Sequence, residues 1–146
     1  LGGTPFHDIL LDKYHNEEFI YAGTSAGAAA ASNNMIYQGS SSEALLKGEV
    51  KITSGLGLID DVIIDTHFVQ RGRIGRLFQA VVGNPKVLGI GLVILVDGRH
   101  IKDTNLTQIE LNQPISINHL VTHVMSKYDT FNLDTFKMHI HSSQYV

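Results

Sequence analysis

The sequence predicts an α/β fold, a layered and mostly parallel sheet flanked by helices. Two observations carry that expectation. Short apolar, β-prone runs at 19–22, 60–65 and 87–96 alternate with helix-prone stretches at 26–37 and 71–82, the order that layers helices on a sheet. At the first strand-to-helix boundary stands GTSAG, with Ser25 between Gly23 and Gly27. This G-x-S-x-G pattern is the sequence form of a nucleophile elbow, a tight strand-to-helix turn that holds a serine out for attack.

With 146 residues the chain has the size of a single domain, 1–146, large enough to bury a core. A net charge of −3 offers no electrostatic footprint for nucleic acid. The chain has no cysteine, which excludes disulfides and thiolate metal centres. Its apolar runs are too short to cross a bilayer, and no basic stretch followed by an apolar one opens the chain. A cytoplasmic protein is therefore expected, with a secreted form left open because Leu1 is not a start methionine. There is no internal repeat.

Thr4 and Pro5 form a helix start, with Thr4 as N-cap and Pro5 at the first helical position. Phe6, Ile9 and Leu10 follow at helical spacing. After a polar break, the β-prone residues 19–22 lead into the elbow. Alanine-rich residues 26–37 read as a helix suited to close packing on a sheet. A serine-rich loop spans 38–43, and 50–53 reads as an edge strand. Residues 60–65 have the pattern of a buried strand. The helix expected at 71–82 carries Ile74, Leu77, Phe78 and Val81 as its apolar positions. The run 87–96 is strand-like but long for one strand, and Asp97-Gly98 marks a turn. Residues 106–111 are a further candidate strand. Residues 117–125 alternate poorly, and the tail from Phe131 carries no clear pattern.

A serine hydroxyl is a poor nucleophile at neutral pH. It needs a base, a group that orients the base, and donors for the oxyanion. The elbow supplies the Ala26 N–H at the start of a helix. The plain alternative is a small-residue turn without chemistry. A second stretch, DTHFVQRGRIGRL at 65–77, places His67 just past a buried strand, where α/β sheets carry functional groups and where a general base belongs. Arg71, Arg73 and Arg76 follow without sharing one helical face. Cations are disfavoured at a helix start, so the cluster points to recognition of an acidic ligand. A satisfied strand-end histidine and a surface helix start are the plain readings of these residues.

Together, GTSAGAAA with NNMI, DTHFVQRGRIGRL and LGIG resemble the cyanophycinase branch of the serine peptidase family that also contains aspartyl dipeptidase. The order Ser25 then His67 agrees. The resemblance is close over about the first ninety residues and loose beyond. It implies a serine exopeptidase that hydrolyses cyanophycin, a polyaspartate bearing arginine on each side-chain carboxylate, to β-aspartyl-arginine through an acyl-enzyme. In that reading Ser25 is the nucleophile, His67 the base, and Ala26 N–H an oxyanion donor. Asp65, Thr66, Arg71, Arg73 and Arg76 shape the substrate pocket, with Asp65 facing the substrate guanidinium and an arginine its carboxylate. No metal or organic cofactor is required, and a homodimer is implied.

Two departures stand out. The family has a Gly-Gly-Asp-Gln segment before the nucleophile, and Gly2-Gly3 is not that motif. The family also carries an Asp-Glu acid after its Gly-Ile-Gly strand, whereas Gly89-Ile90-Gly91 runs here into Leu92-Val93-Ile94. The long run 87–96 fits two strands whose connection is missing. The domain is accordingly expected to be incomplete at the N-terminus and between residues 91 and 92. Asp97, Asp60 and Asp61 are possible substitutes for the missing acid. Two rival functions remain: an aspartyl dipeptidase acting on small peptides, and a catalytically inactive module that holds an Asp/Arg-rich polymer. His139 and His141 are the nearest approach to a metal pair, but no third ligand stands nearby, so a surface feature is expected. Asn105-Leu106-Thr107 matches a glycosylation sequon, which carries meaning only in a secreted protein.

Overall fold

The computed structural model describes residues 2–68, 71–91, 94–125 and 129–140. Helix α1 (Pro5–Asn16) starts as predicted, with the Thr4 side chain accepting from the His7 N–H. None of its residues is buried. It touches the body through His7 Nε2, which lies 2.8 Å from the carbonyl of Leu56. Residues 19–22 form no strand. Ile20 is 89% exposed, and β-propensity is not realised without a neighbouring strand to pack and pair with.

Helix α2 (Ala26–Ala30) is short, and the helix expected through residue 37 does not form. The buried Ser32 hydroxyl lies 2.7 Å from the Ala29 carbonyl and 2.9 Å from that of Asn34. Such local bonds compete with helix propagation. The chain turns instead into β1 (Asn34–Gln38), which pairs antiparallel with β2 (Lys51–Ser54) across a β-bulge between Ile36 and Gln38. Next come β3 (Val62–Ile64), α3 (Ile74–Val82), β4 (Leu88–Gly91) and β5 (Ile94–Asp97). Strands β6 (Asp103–Thr104) and β7 (Ile117–Asn118) form a small ribbon. They are followed by β8 (Val121–Val124), and by β9 (Thr130–Asn132) paired with β10 (Lys137–His139). Residues 106–108 turn rather than pair, closed by a bond from Gln108 N–H to the Asn105 carbonyl. His141, half of the histidine pair, lies outside the described residues.

The central sheet has the order β3-β4-β5-β8. Strands β3 and β4 are parallel, whereas β4–β5 and β5–β8 are antiparallel. The described sheet is therefore mixed, not mostly parallel. The connection between β3 and β4 contains α3, long enough for a parallel crossover, while β4 and β5 follow each other too closely for one. The run 87–96 thus divides into two strands, with Leu92 and Val93 outside the described residues.

Helix α3 lies against this sheet. Leu77, Ala80 and Val81 join Ile36, Ile63, Phe68, Val87 and Val96 in one apolar core. The expected start at residue 71 moves to Ile74, because Gly72 takes a left-handed φ of 58°. Gln79 is buried and fixes the crossing loop: its amide nitrogen donates to the carbonyls of Ala44 and Leu46, both at 2.6 Å, and its oxygen accepts from Val50 N–H at 2.8 Å.

The glycines of LGIG have a steric reason. A Cβ at Gly89 would stand 2.6 Å from Val81 Cγ2, and one at Gly91 would stand 2.5 Å from the Phe68 ring. Both contacts are far inside van der Waals distance, in an interior that is already close-packed. Replacing Gly91 by alanine should cost about 1–3 kcal/mol, seen as a lower urea midpoint at unchanged slope. Equal midpoints for the variant and the parent protein would contradict the packing described.

Candidate active site

Ser25 stands at the start of α2 with φ 51° and ψ −119°, a conformation that L-residues rarely adopt. Its neighbours hold it there. A Cβ at Gly23 would lie 2.6 Å from both the carbonyl carbon and oxygen of Gly27, so the first glycine of G-x-S-x-G permits the turn itself. At Gly27 a Cβ would meet only the Tyr21 hydroxyl at 3.8 Å, an ordinary contact. Tyr21 donates from that hydroxyl to the Gly27 carbonyl at 2.7 Å, pinning the approach segment to the helix. The Ser25 side chain does not cap the helix.

Ser25 Oγ lies instead 2.8 Å from His67 Nε2. For Nε2 to accept the serine proton, the neutral ring must carry its own proton on Nδ1. His67 follows β3 and is also left-handed, with φ 52°. Both residues are exposed, so the pair is open to a substrate. The next residue, Phe68, is 3% exposed and fills the hollow over Gly91, anchoring the histidine turn in the core.

Asp65 organises the other side of the turn. It is buried, and its backbone N–H extends the strand pairing to the Ile90 carbonyl at 2.9 Å. Arg76 embraces its carboxylate with two groups, Nε at 3.0 Å and Nη2 on the other oxygen. Thr66 N–H donates to Asp65 Oδ1 at 2.9 Å, and Arg73 Nη1 stands 3.7 Å from that oxygen. Arg73 Nη1 also donates to the Thr66 carbonyl at 2.6 Å. Asp65 is thus engaged within the protein by Arg76 and the Thr66 N–H, while it also lines the clefts beside Ser25. Burial, with Arg76 and Arg71 close by, holds the Arg73 pKa below its usual value, partly opposed by Asp65. Three guanidiniums against one carboxylate leave this corner positive.

Two clefts flank the serine–histidine pair. One, of about 460 Å³, lies over the carboxyl ends of β3 and β4 and is lined by Ile64, Thr66, Ile90 and Gly91 beside Ser25 and His67. The other, of about 330 Å³, holds Ala26, Arg71, Arg73 and Arg76, together with Met35 and Tyr37 from β1. All eight predicted site residues therefore gather in one place. Met35 and Tyr37 are additions that sequence reasoning missed, because 26–37 read as one helix.

The proposed substitutes for the orienting acid do not reach His67. Asp97 pairs across the sheet with Leu88, at the amino end of β4, and it is tied to Arg99 at 2.8 and 2.5 Å. The Arg99 guanidinium holds its carboxyl below the usual range. Asp60 and Asp61 precede β3, at the same far end. Among the described residues no carboxylate pairs with His67.

These features define an α/β protein with an exposed serine–histidine pair past the end of a parallel strand. Residues 1–105 match the family model for peptidase family S51, and the chain belongs to that family. It is similar to cyanophycinase of Trichormus variabilis, at 34% identity over 91% of this chain and 52% of that one. It is also similar to cyanophycinase of Synechococcus elongatus (35%, over 94% and 49%) and of Geminocystis herdmanii (31%, over 92% and 57%). The chain spans about half the length of the curated relatives it matches.

The two glycines of G-x-S-x-G should respond differently. Gly23→Ala is expected to abolish labelling of Ser25 by a serine-reactive fluorophosphonate, whereas Gly27→Ala should label like the parent. Equal labelling of both would mean that the turn does not depend on position 23. Arg76→Leu strands a buried carboxylate and should cost about 3–5 kcal/mol in urea unfolding. A loss under 1 kcal/mol, on the scale of an exposed ion pair, would show that the pair is not buried.

Proposed function

We propose that this chain is the catalytic portion of a serine exopeptidase of cyanophycinase type. The observation that carries the reading is the 2.8 Å approach of Ser25 Oγ to His67 Nε2 at the start of α2. Ser25 Oγ attacks the scissile backbone carbonyl while its proton passes to His67 Nε2. Negative charge collects on the carbonyl oxygen, where Ala26 N–H donates. The C–N bond then breaks, His67 returns the proton to the leaving amine, and an acyl-enzyme remains on Ser25. Water, deprotonated by His67, releases the second product and restores the serine. No step requires a metal or cofactor.

The arginines favour the polymer over small aspartyl peptides as substrate. Arg71 is exposed in the cationic cleft and is the group best placed to take a substrate carboxylate. Arg73, Arg76, Asp65 and Thr66 support that cleft and fix the histidine turn. In this reading the turn at residues 23–27 acts as the nucleophile elbow of a layered α/β sheet. A segment that carries the orienting acid belongs between residues 91 and 92. The matches to relatives run over 154 to 159 positions yet use 91–94% of a 146-residue chain, so the relatives have positions, at places these figures do not fix, that this chain lacks. A cytoplasmic homodimer that binds neither nucleic acid nor membrane completes the proposal. Among the described residues no helix is long and apolar enough to span a membrane.

Incubation with purified cyanophycin, with products identified by mass spectrometry, tests the reading. β-Aspartyl-arginine should be released, and Ser25→Ala and His67→Ala should each lower the rate by about 10³-fold or more. Folded protein that releases nothing would instead favour the inactive polymer-binding module.

A further inference from the structure

Tyr37 is the residue added by the β-bulge. Ile36 pairs with Ile52 and Gln38 with Lys51, which leaves Tyr37 without a partner in the register. Bulges beside active sites re-aim a side chain. While Ile36 turns into the core, Tyr37 stays 58% exposed and forms a wall of the cationic cleft shared with Ser25, His67 and the three arginines. Core packing gives no reason for a large aromatic ring there.

The charge balance of the cleft assigns one. The proposed substrate carries guanidiniums as well as carboxylates. The arginines suit its carboxylates, but the carboxylate lining this cleft, Asp65, is already enclosed by Arg76 and Thr66. A substrate guanidinium brought here meets like charge and no free anion. An aromatic face is the remaining group that attracts a planar cation, and a guanidinium stacks on it better than an ammonium does. We infer that Tyr37 is a specificity residue whose ring receives the guanidinium of the substrate's arginyl branch. This rests on the hydrolase reading above and adds a subsite to it.

The test uses two synthetic oligomers, β-linked Asp-Arg and its counterpart with lysine for arginine. Tyr37→Leu should raise KM for the arginyl oligomer about three- to tenfold, the range of an exposed to partly desolvated cation–aromatic contact. Its kcat should stay within about twofold, and KM for the lysyl oligomer should move less than for the arginyl one. Tyr37→Phe should behave as the parent. An unchanged arginyl KM in Tyr37→Leu overturns the inference, as do equal shifts for both oligomers. A loss in Tyr37→Phe as large as in Tyr37→Leu also overturns it, by assigning the effect to the hydroxyl. Binding of the arginyl oligomer to Ser25→Ala, with and without Tyr37→Leu, separates the two readings. Weaker binding in the double variant sustains the inference even where the parent hydrolyses nothing. Unchanged or undetectable binding removes it.

Discussion

The buried pair of Asp65 and Arg76 is the constraint on which the site depends. Taking two ions out of water costs several kcal/mol each. That cost is offset only by dense, well-aligned hydrogen bonding, which the two-pronged Arg76 contact and the Thr66 N–H provide. As a result the end of β3 cannot move independently of α3. His67 lies two residues beyond this clamp, and Arg73 secures the carbonyl between them. The arginines thus serve twice: they hold the His67 turn in place and they make the neighbouring cleft positive.

On the serine side the constraint is steric. Ser25 and His67 both occupy the left-handed region, at a cost on the order of 1–3 kcal/mol each. Such strain persists only where the surroundings leave no alternative. For Ser25 these are the bare Cα of Gly23 and the Tyr21 bond to Gly27. For His67 they are Phe68, seated over Gly91, and the Asp65 clamp. Two independently strained turns therefore face each other at hydrogen-bond distance, the geometry that the proposed nucleophile and base would need.

Much of this was legible in the sequence, for identifiable reasons. The G-x-S-x-G turn and the histidine turn are local motifs in which glycines and charged residues mark unusual backbone, so Ser25, Ala26, His67 and the arginines stand out in the sequence as candidates, and the fold brings them together. The helix at 74–82 and the strand at 62–64 follow from strong apolar patterns. What failed depended on distant partners. Residues 26–37 look helical by propensity, but Ser32 ends the helix and β2 captures 34–38. That error hid Tyr37. Residues 19–22 look like a strand, but propensity without a pairing neighbour makes none. The family resemblance implies a substrate-facing Asp65, and it gives no sign of a partner within the chain. Only the fold reveals that Arg76, eleven residues on, pairs with it.

Sheet topology limits how the base is completed. Strands β3 and β4 run parallel, so their carboxyl ends share one edge of the sheet with His67, while Asp60, Asp61 and Asp97 share the opposite edge. No rotamer of those three crosses the length of a strand. A carboxylate that orients Nδ1 has to stand at the carboxyl edge of the sheet, the edge at which β4 ends with Gly91 against the Phe68 ring. This is the position at which the apolar run divides into two strands. A serine–histidine pair without an orienter retains its geometry but loses the group that stabilises the imidazolium. If the proposed hydrolase reading holds, the rate of this chain turns on what meets His67 at that edge, because the serine–histidine contact is already formed.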